Sequence, residues 1–242
     1  ATFVEIPDSI KRICPSAFGY CIHSTNGSEL GKYIPHKNPI PINISNNSKL
    51  QIIGEWAFFA ASIKSITIPS SVTHIKKLSF NCFDSLKHVN IPEDSKLQII
   101  EDDAFSNTSI ESIFIPSDVI IIGKSAFESC TKLKQIKFSN DSKLQIIEDN
   151  SFRSSNITSI SIPSSVTRIG KKAFNYCCEL NKVVFQKDSK LQIIDDYAFD
   201  QSSIKSISIP LNVIRIGSFA FNGCKNLQYV EMPNDLNLHQ IE

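Results

Sequence analysis

The chain has 242 residues, of which 41% are hydrophobic, 20% charged and 9% aromatic. That balance belongs to a folded, water-exposed protein and excludes a disordered chain, a collagen and a membrane bundle. The 25 Lys and Arg nearly cancel the 24 Asp and Glu, for a net charge of +1, so no global field draws nucleic acid or an anionic membrane.

The chain opens at Ala1 without an initiator Met or a charged-then-apolar leader, and reads as a mature form or an excised piece. The first element is a short alternating strand, Val4/Ile6, closed by Pro7. Ile13 and then Ala17-Phe18 follow. A stretch of about 19–39 then departs from everything downstream. It carries Cys21, His23, Pro35, His36 and Pro39, and adds 15 residues relative to later units. It reads either as a surface loop or as a ligand-contacting excursion.

From there the sequence repeats. Ser-Lys-Leu-Gln-Ile-Ile occurs at Ser48–Ile53, Ser95–Ile100, Ser142–Ile147 and Ser189–Ile194, always 47 residues apart. Leu238 and Ile241 fall one period after Leu191 and Ile194, so the chain stops inside a further repeat. Each 47-residue unit is two related halves. The mark of a half is Ile, three residues, Ala or Ser, then Phe. It appears nine times, ending in Phe18, Phe58, Phe80, Phe105, Phe127, Phe152, Phe174, Phe199 and Phe221. After the Phe comes a spaced apolar run, often closed by Pro, as in Ile63-Ile66-Ile68-Pro69 and Ile110-Ile113-Ile115-Pro116.

The last part of that run alternates apolar and polar, the period of a strand. The small residue allows close backbone approach where the chain turns back, and the Phe fills the interior. A unit of about 23 residues cannot bury its own apolar face, but stacked units can, with their strands in one parallel sheet. Ten strand cores run from Val4/Ile6 to Val230/Met232, a stack roughly 45–50 Å long. The expected organisation is one solenoid over 1–242, truncated at both ends. It has about ten repeats in 47-residue pairs and an insertion at about 19–39. No apolar run approaches the roughly 20 residues of a spanning helix.

These residues resemble the BspA-like leucine-rich repeats. Leu227, Val230, Met232 and Pro233 match the strand part of that pattern, and Ile169, Ala173, Phe174 and Cys177 match the turn and Cys part. The resemblance implies an α/β solenoid, a right-handed superhelix with a parallel β-sheet on the concave side. It also implies the family's setting, surface proteins of bacteria and protists, several of which adhere to host cells or extracellular matrix.

No catalytic motif accompanies the repeat. Gly123-Lys124-Ser125 lacks the earlier glycine of a phosphate loop, because Asp118 stands there. The five His are scattered out of phase, and neither a metal site nor a cofactor is expected. Cys21, Cys130, Cys177 and Cys224 each follow a repeat Phe by three residues, and Phe83 takes the same slot, so this is an interior position. Two strands separate these Cys, about 9.6 Å. That is beyond the roughly 7 Å a disulfide spans, so the column is expected to be unbridged. Cys14–Cys21 is the one local pairing left open. Asn-x-Ser/Thr occurs at Asn26, Asn43, Asn46, Asn107, Asn140 and Asn156, as glycan acceptors or as a by-product of Asn/Ser richness.

Two surface patterns complete the reading. The residue two after each repeat Ile alternates in sign: Glu55, Lys77, Asp102, Lys124, Asp149, Lys171, Asp196. It predicts a line of alternating charge. The outward positions of the strands are mostly small and polar, with Phe114, Val184 and Tyr229 as exceptions. These three are either ordinary exposed apolars or anchors of a binding face, with Lys137 and Lys182 as polar contacts. The expected function is a non-catalytic binding module that attaches a cell-surface or extracellular protein to host cells or matrix through the concave face. Its ligand would be a protein or a glycan, not nucleic acid, with no membrane insertion. The competing class is an intracellular protein-interaction scaffold.

Overall fold

The computed structural model describes residues 4–18, 42–59, 61, 63–81, 85–234 and 240–241. The insertion at about 19–39, with Cys21, His23, Asn26 and His36, lies outside them, as does Phe83. The chain alternates a longer strand with a two-residue one. First come β1 (Val4–Ile6), β2 (Arg12–Ile13), β3 (Ile42–Ile44), β4 (Ile52–Ile53), β5 (Ser65–Thr67) and β6 (His74–Ile75). Next are β7 (His88–Asn90), β8 (Ile99–Ile100), β9 (Ser112–Ile115), β10 (Ile121–Ile122), β11 (Gln135–Phe138), β12 (Ile146–Ile147) and β13 (Ser159–Ile162). Then follow β14 (Arg168–Ile169), β15 (Lys182–Phe185), β16 (Ile193–Ile194), β17 (Ser206–Ser208), β18 (Arg215–Ile216), β19 (Tyr229–Glu231) and β20 (Gln240–Ile241).

The result is a parallel β-solenoid. The ten short strands form one continuous parallel sheet in chain order. The longer strands stack in parallel too, but their ladder is grouped as two, six and two strands. β9 pairs with β11 over four residues, and β13 with β15 over four. By contrast β7 meets β9 only at His88–Ser112, and β11 meets β13 only at Gln135–Ser159. The loose seams fall before β5, β9, β13 and β17. Those are the strands that start one residue sooner after their Phe: Phe105 is eight residues before Ile113, whereas Phe127 is nine before Ile136.

Burial follows the alternation. In β9 the inward Ile113 and Ile115 are buried, while Ser112 faces water. Each half ends its short strand on a buried Ile and then turns. The third residue after that Ile has a positive φ in all nine turns, from Ser16 through Trp56, Leu78 and Tyr197 to Phe219, within 53° to 58°. Two residues after the Phe a second left-handed position follows, as at Asn107, Ser129, Ser154, Tyr176 and Gln201. These turns stack like strands. The Phe105 N–H donates to the Ala126 carbonyl at 2.8 Å, Phe127 to Ser151 at 2.7 Å, and Phe152 to Ala173 at 2.8 Å.

This geometry corrects the α/β expectation, because no helix is present among the described residues. A left-handed residue every few positions breaks the i→i−4 pattern a helix needs. The turn N–H groups donate sideways to the next coil instead.

Inside, the nine Phe rings stack from Phe18 to Phe221, with centroids 5.0–5.6 Å apart and planes within 9°. The Cys column runs beside them. Cys130 and Cys177 are fully buried, Cys224 is partly buried, and all three are free thiols. Cys130 Sγ donates to the Phe105 carbonyl at 3.1 Å and contacts Thr108 Oγ1 at 3.2 Å. Hydroxyls and thiols thus alternate up this column, with Ser155 against Cys177 and Ser202 against Cys224. Cys178, one residue out of phase, is exposed.

Candidate functional site

The longer-strand face is built by the two outward residues of each strand. His88, Asn90, Ser112, Gln135, Lys137, Ser159, Ser161, Lys182, Val184, Ser208, Tyr229 and Glu231 are all exposed, as the alternation requires. Val184 is 42% exposed and Tyr229 62% exposed, while Phe114 is half-buried. Phe114 and Lys137 are register partners, and the Lys137 ammonium stands 6.0 Å from the Phe114 ring centroid, a cation–π distance. Lys182 lies beside Ser159 and Val184 beside Ser161. Tyr229 lies further along, beside Ser206. The five residues singled out in the sequence therefore share a face without forming one cluster.

Two shallow clefts open where the longer-strand ladder is interrupted. One, of about 330 Å³, lies between β15 and β17 and includes Lys182, Val184, Ser206 and Ser208. The other, of about 310 Å³, lies between β3 and β5 and includes Asn43, Ser45, Asn46, Ser65 and Thr67. Asn43 occupies the outward position of β3 and extends the face beyond Ser65, where the sequence expectation starts it.

Part of the charge away from this face holds neighbouring coils together. The alternating column is real in position, but its carboxylates mainly serve backbone. Asp102 Oδ1 accepts the Lys124 N–H at 2.8 Å, and Asp149 Oδ1 accepts the Lys171 N–H at 2.9 Å. Among the described residues one ion pair joins consecutive members of the column, Lys171–Asp196 at 3.7 Å. Arginines from alternate coils also bind these carboxylates, at Asp149 and Asp196 through the same Oδ1 that accepts a backbone N–H. Arg168 reaches Asp149 at 2.9 Å and Asp195 at 3.0 Å, and Arg215 reaches Asp195 at 3.0 Å and Asp196 at 3.1 Å. Partial burial works against the Asp195 charge. Hydrogen bonds from the Asp196 amide and both guanidinium groups outweigh it and hold the carboxyl below its usual range.

Gly123-Lys124-Ser125 is no anion cradle. Gly123, Lys124 and Ser125 donate their amides to the Ile100 carbonyl, Asp102 and the Asp149 carbonyl. Among the described residues no cluster of His, Cys, Asp or Glu could hold a metal ion, and no helix is long and apolar enough to cross a membrane.

The BspA type leucine rich repeat region family matches the sequence in six copies, over residues 1–94, 36–134, 98–192 and 192–242. No curated protein matches. Among solved structures, the pneumococcal vaccine antigen PcpA is similar at a TM-score of 0.61 and 23% identity, covering 97% of this chain and 61% of that one. A leucine-rich repeat protein from Bacteroides capillosus shares 32% identity over 38% of this chain and 64% of its own, at a TM-score of 0.34. A leucine rich cell surface protein from Faecalibacterium prausnitzii shares 21% identity over 100% of this chain and 92% of its own, at a TM-score of 0.41. The chain thus spans less than two thirds of the first two.

Proposed function

The chain belongs to the BspA-type leucine-rich-repeat family, and from that premise we propose that it is a non-catalytic binding module of a cell-surface or extracellular protein, attaching to host cells or matrix through the longer-strand face. One observation carries this reading. That face presents a row of exposed side chains along the stack, and Phe114, Val184 and Tyr229 interrupt its Ser-rich field without contributing to the buried core. Aromatic side chains are enriched where binding energy concentrates. We take the face to be concave, with Phe114, Val184 and Tyr229 as anchors and Lys137 and Lys182 as polar contacts.

The test compares substitutions on the face with one in the core. Alanine at Phe114 and Tyr229 lowers adhesion to host cells or matrix and leaves the melting temperature nearly unchanged. Alanine at Phe127, stacked between Phe105 and Phe152, destabilises the fold by roughly 3–5 kcal/mol. If adhesion survives both face substitutions and is abolished by deleting 19–39, the insertion is the site and the face is not.

A further inference from the structure

The near-zero net charge conceals a segregation that the fold makes visible. Each coil exposes three positions around its longer strand, one just before it and two pointing outward. From the coil of β5 to that of β19, these positions hold Lys64, Lys87, Lys134, Lys137, Lys182 and Lys205, against only Glu111 and Glu231. All eight are exposed. With the whole chain at +1, the rest of the surface is net acidic. None of the six lysines has a carboxylate within ion-pairing distance among the described residues. Lys76, Lys143, Lys171, Arg153, Arg168 and Arg215 on other faces do, whereas Lys77, Lys96, Lys124 and Lys172 do not, so the face is set apart by its six Lys against two Glu rather than by lack of pairing. The Lys137 ammonium stands over the Phe114 ring.

We propose that this face binds an acidic polysaccharide, laid along the solenoid axis across the unpaired lysines. The inference rests on the binding-face reading above and names its ligand class. Six coil steps separate Lys64 from Lys205, about 29 Å at strand spacing, long enough for several sugar units. Five of the seven coils in that span hold a lysine, so an extended polyanion meets ammonium groups at intervals of one or two coils, with Glu111 as the one carboxylate among them. Between and beside the lysines lie Ser65, Ser112, Ser159, Ser161 and Ser206, whose hydroxyls suit sugar hydroxyls and ring oxygens, while the Ser208 hydroxyl is taken by the Glu231 carboxylate. A protein ligand fits this composition less well. Protein interface cores are depleted in Lys and Ser and enriched in aromatics, whereas this face is Lys and Ser with few aromatics. The shallow clefts beside Lys182 and Ser65 give bulky sulfate or carboxylate substituents room beside the strands.

The probe is a heparin dodecasaccharide, with its fully desulfated counterpart, titrated calorimetrically into the protein. Binding is expected with the sulfated chain, weakening steeply as salt rises past about 0.15 M. The double variant Lys134→Glu/Lys137→Glu should lose about tenfold or more in affinity. The control Lys77→Glu/Lys124→Glu carries the same net charge on the turn side and should change little, with melting temperatures confirming that both variants fold. Equal losses in the two doubles would overturn the track, because net charge alone would then explain binding. No heparin binding by a protein that still adheres through Phe114 and Tyr229 overturns the polysaccharide and leaves the face intact. Binding of a polyglutamate peptide in place of heparin does the same, in favour of an acidic protein. Failure of both heparin binding and face-dependent adhesion overturns both readings.

Discussion

Gly170 and Asp149 are matched across adjacent coils. The Asp149 carboxylate turns over the next turn to accept the Lys171 N–H at 2.9 Å, and a Cβ on Gly170 would stand 2.6 Å from that carboxylate oxygen. Gly123 with Asp102 and Gly217 with Asp196 repeat the arrangement. The same Cβ would also lie 2.7 Å from the Asp149 backbone nitrogen, which cannot swing aside. Gly170→Ala should therefore destabilise the protein by about 1–3 kcal/mol. The loss should persist in an Asp149→Ala background, because the backbone contact remains. Full recovery there, measured by urea unfolding, would place the conflict on the side chain alone.

How far the sequence discloses this molecule depends on the length of each signal. The Phe ladder and the longer strands recur over enough residues for their periods to be read directly. The second sheet does not, because strands such as Ile121–Ile122 are two residues long and show no alternation. Nor do the left-handed turns, since Trp56, Leu78, Tyr197 and Phe219 are not residues that announce a positive φ. With the turns unseen, the helix implied by family resemblance stood in their place. The charge column was legible in position and not in partner, because no pattern of signs shows that Asp149 reaches a backbone amide. On the candidate face, alternation alone located Phe114, Val184 and Tyr229. The lysine track needed the fold, since Lys64, Lys87, Lys134 and Lys205 stand before their strands rather than in them.

Those left-handed positions carry a prediction of their own. Tyr176 has φ +56° and is 50% exposed, so its ring contributes little burial to offset the strained backbone. Tyr176→Gly should be neutral or stabilising by up to about 1 kcal/mol. Tyr176→Ile should destabilise by roughly 1–3 kcal/mol, because a β-branched side chain crowds that conformation further. Thermal unfolding of both variants decides it, and a less stable glycine variant would contradict the strain account.

Two serines occupy the same column before the Phe ladder with opposite consequences. Ser79 Oγ shares its one proton between the Gly54 carbonyl at 2.9 Å and the Lys76 carbonyl at 2.5 Å. Ser151 Oγ is fully buried and has no hydrogen-bond partner among the described residues. Most other halves place Ala here, so the site holds a methyl group without rearrangement. Ser151→Ala should stabilise the protein by about 1 kcal/mol, and Ser79→Ala should destabilise it by a similar amount. Chemical denaturation of the two variants checks the pair, and the same sign for both would refute it.

The Cys column gives the protein an alkaline limit. Burial, only partly offset by hydrogen bonds to Thr108, pushes the Cys130 thiol from 9.0 up to about 11. Burial, again only partly offset by Ser155, pushes Cys177 up to about 12. Above pH 9 the unfolded chain releases these protons while the folded chain keeps them. The unfolded state then binds fewer protons, so stability must fall as pH rises. The contribution is intact below pH 9 and is lost progressively up to about 11 and 12 for the two thiols. Lysines titrate in the same range, so the comparison is with Cys130→Ala/Cys177→Ala. That variant should be less stable at neutral pH and should lose less stability between pH 9 and 10. In the native protein at neutral pH, Cys130 and Cys177 should react with a thiol reagent only on unfolding, while exposed Cys178 labels at once. Identical alkaline slopes in the two proteins, or prompt labelling of Cys130, would show that these thiols are not held neutral by the fold.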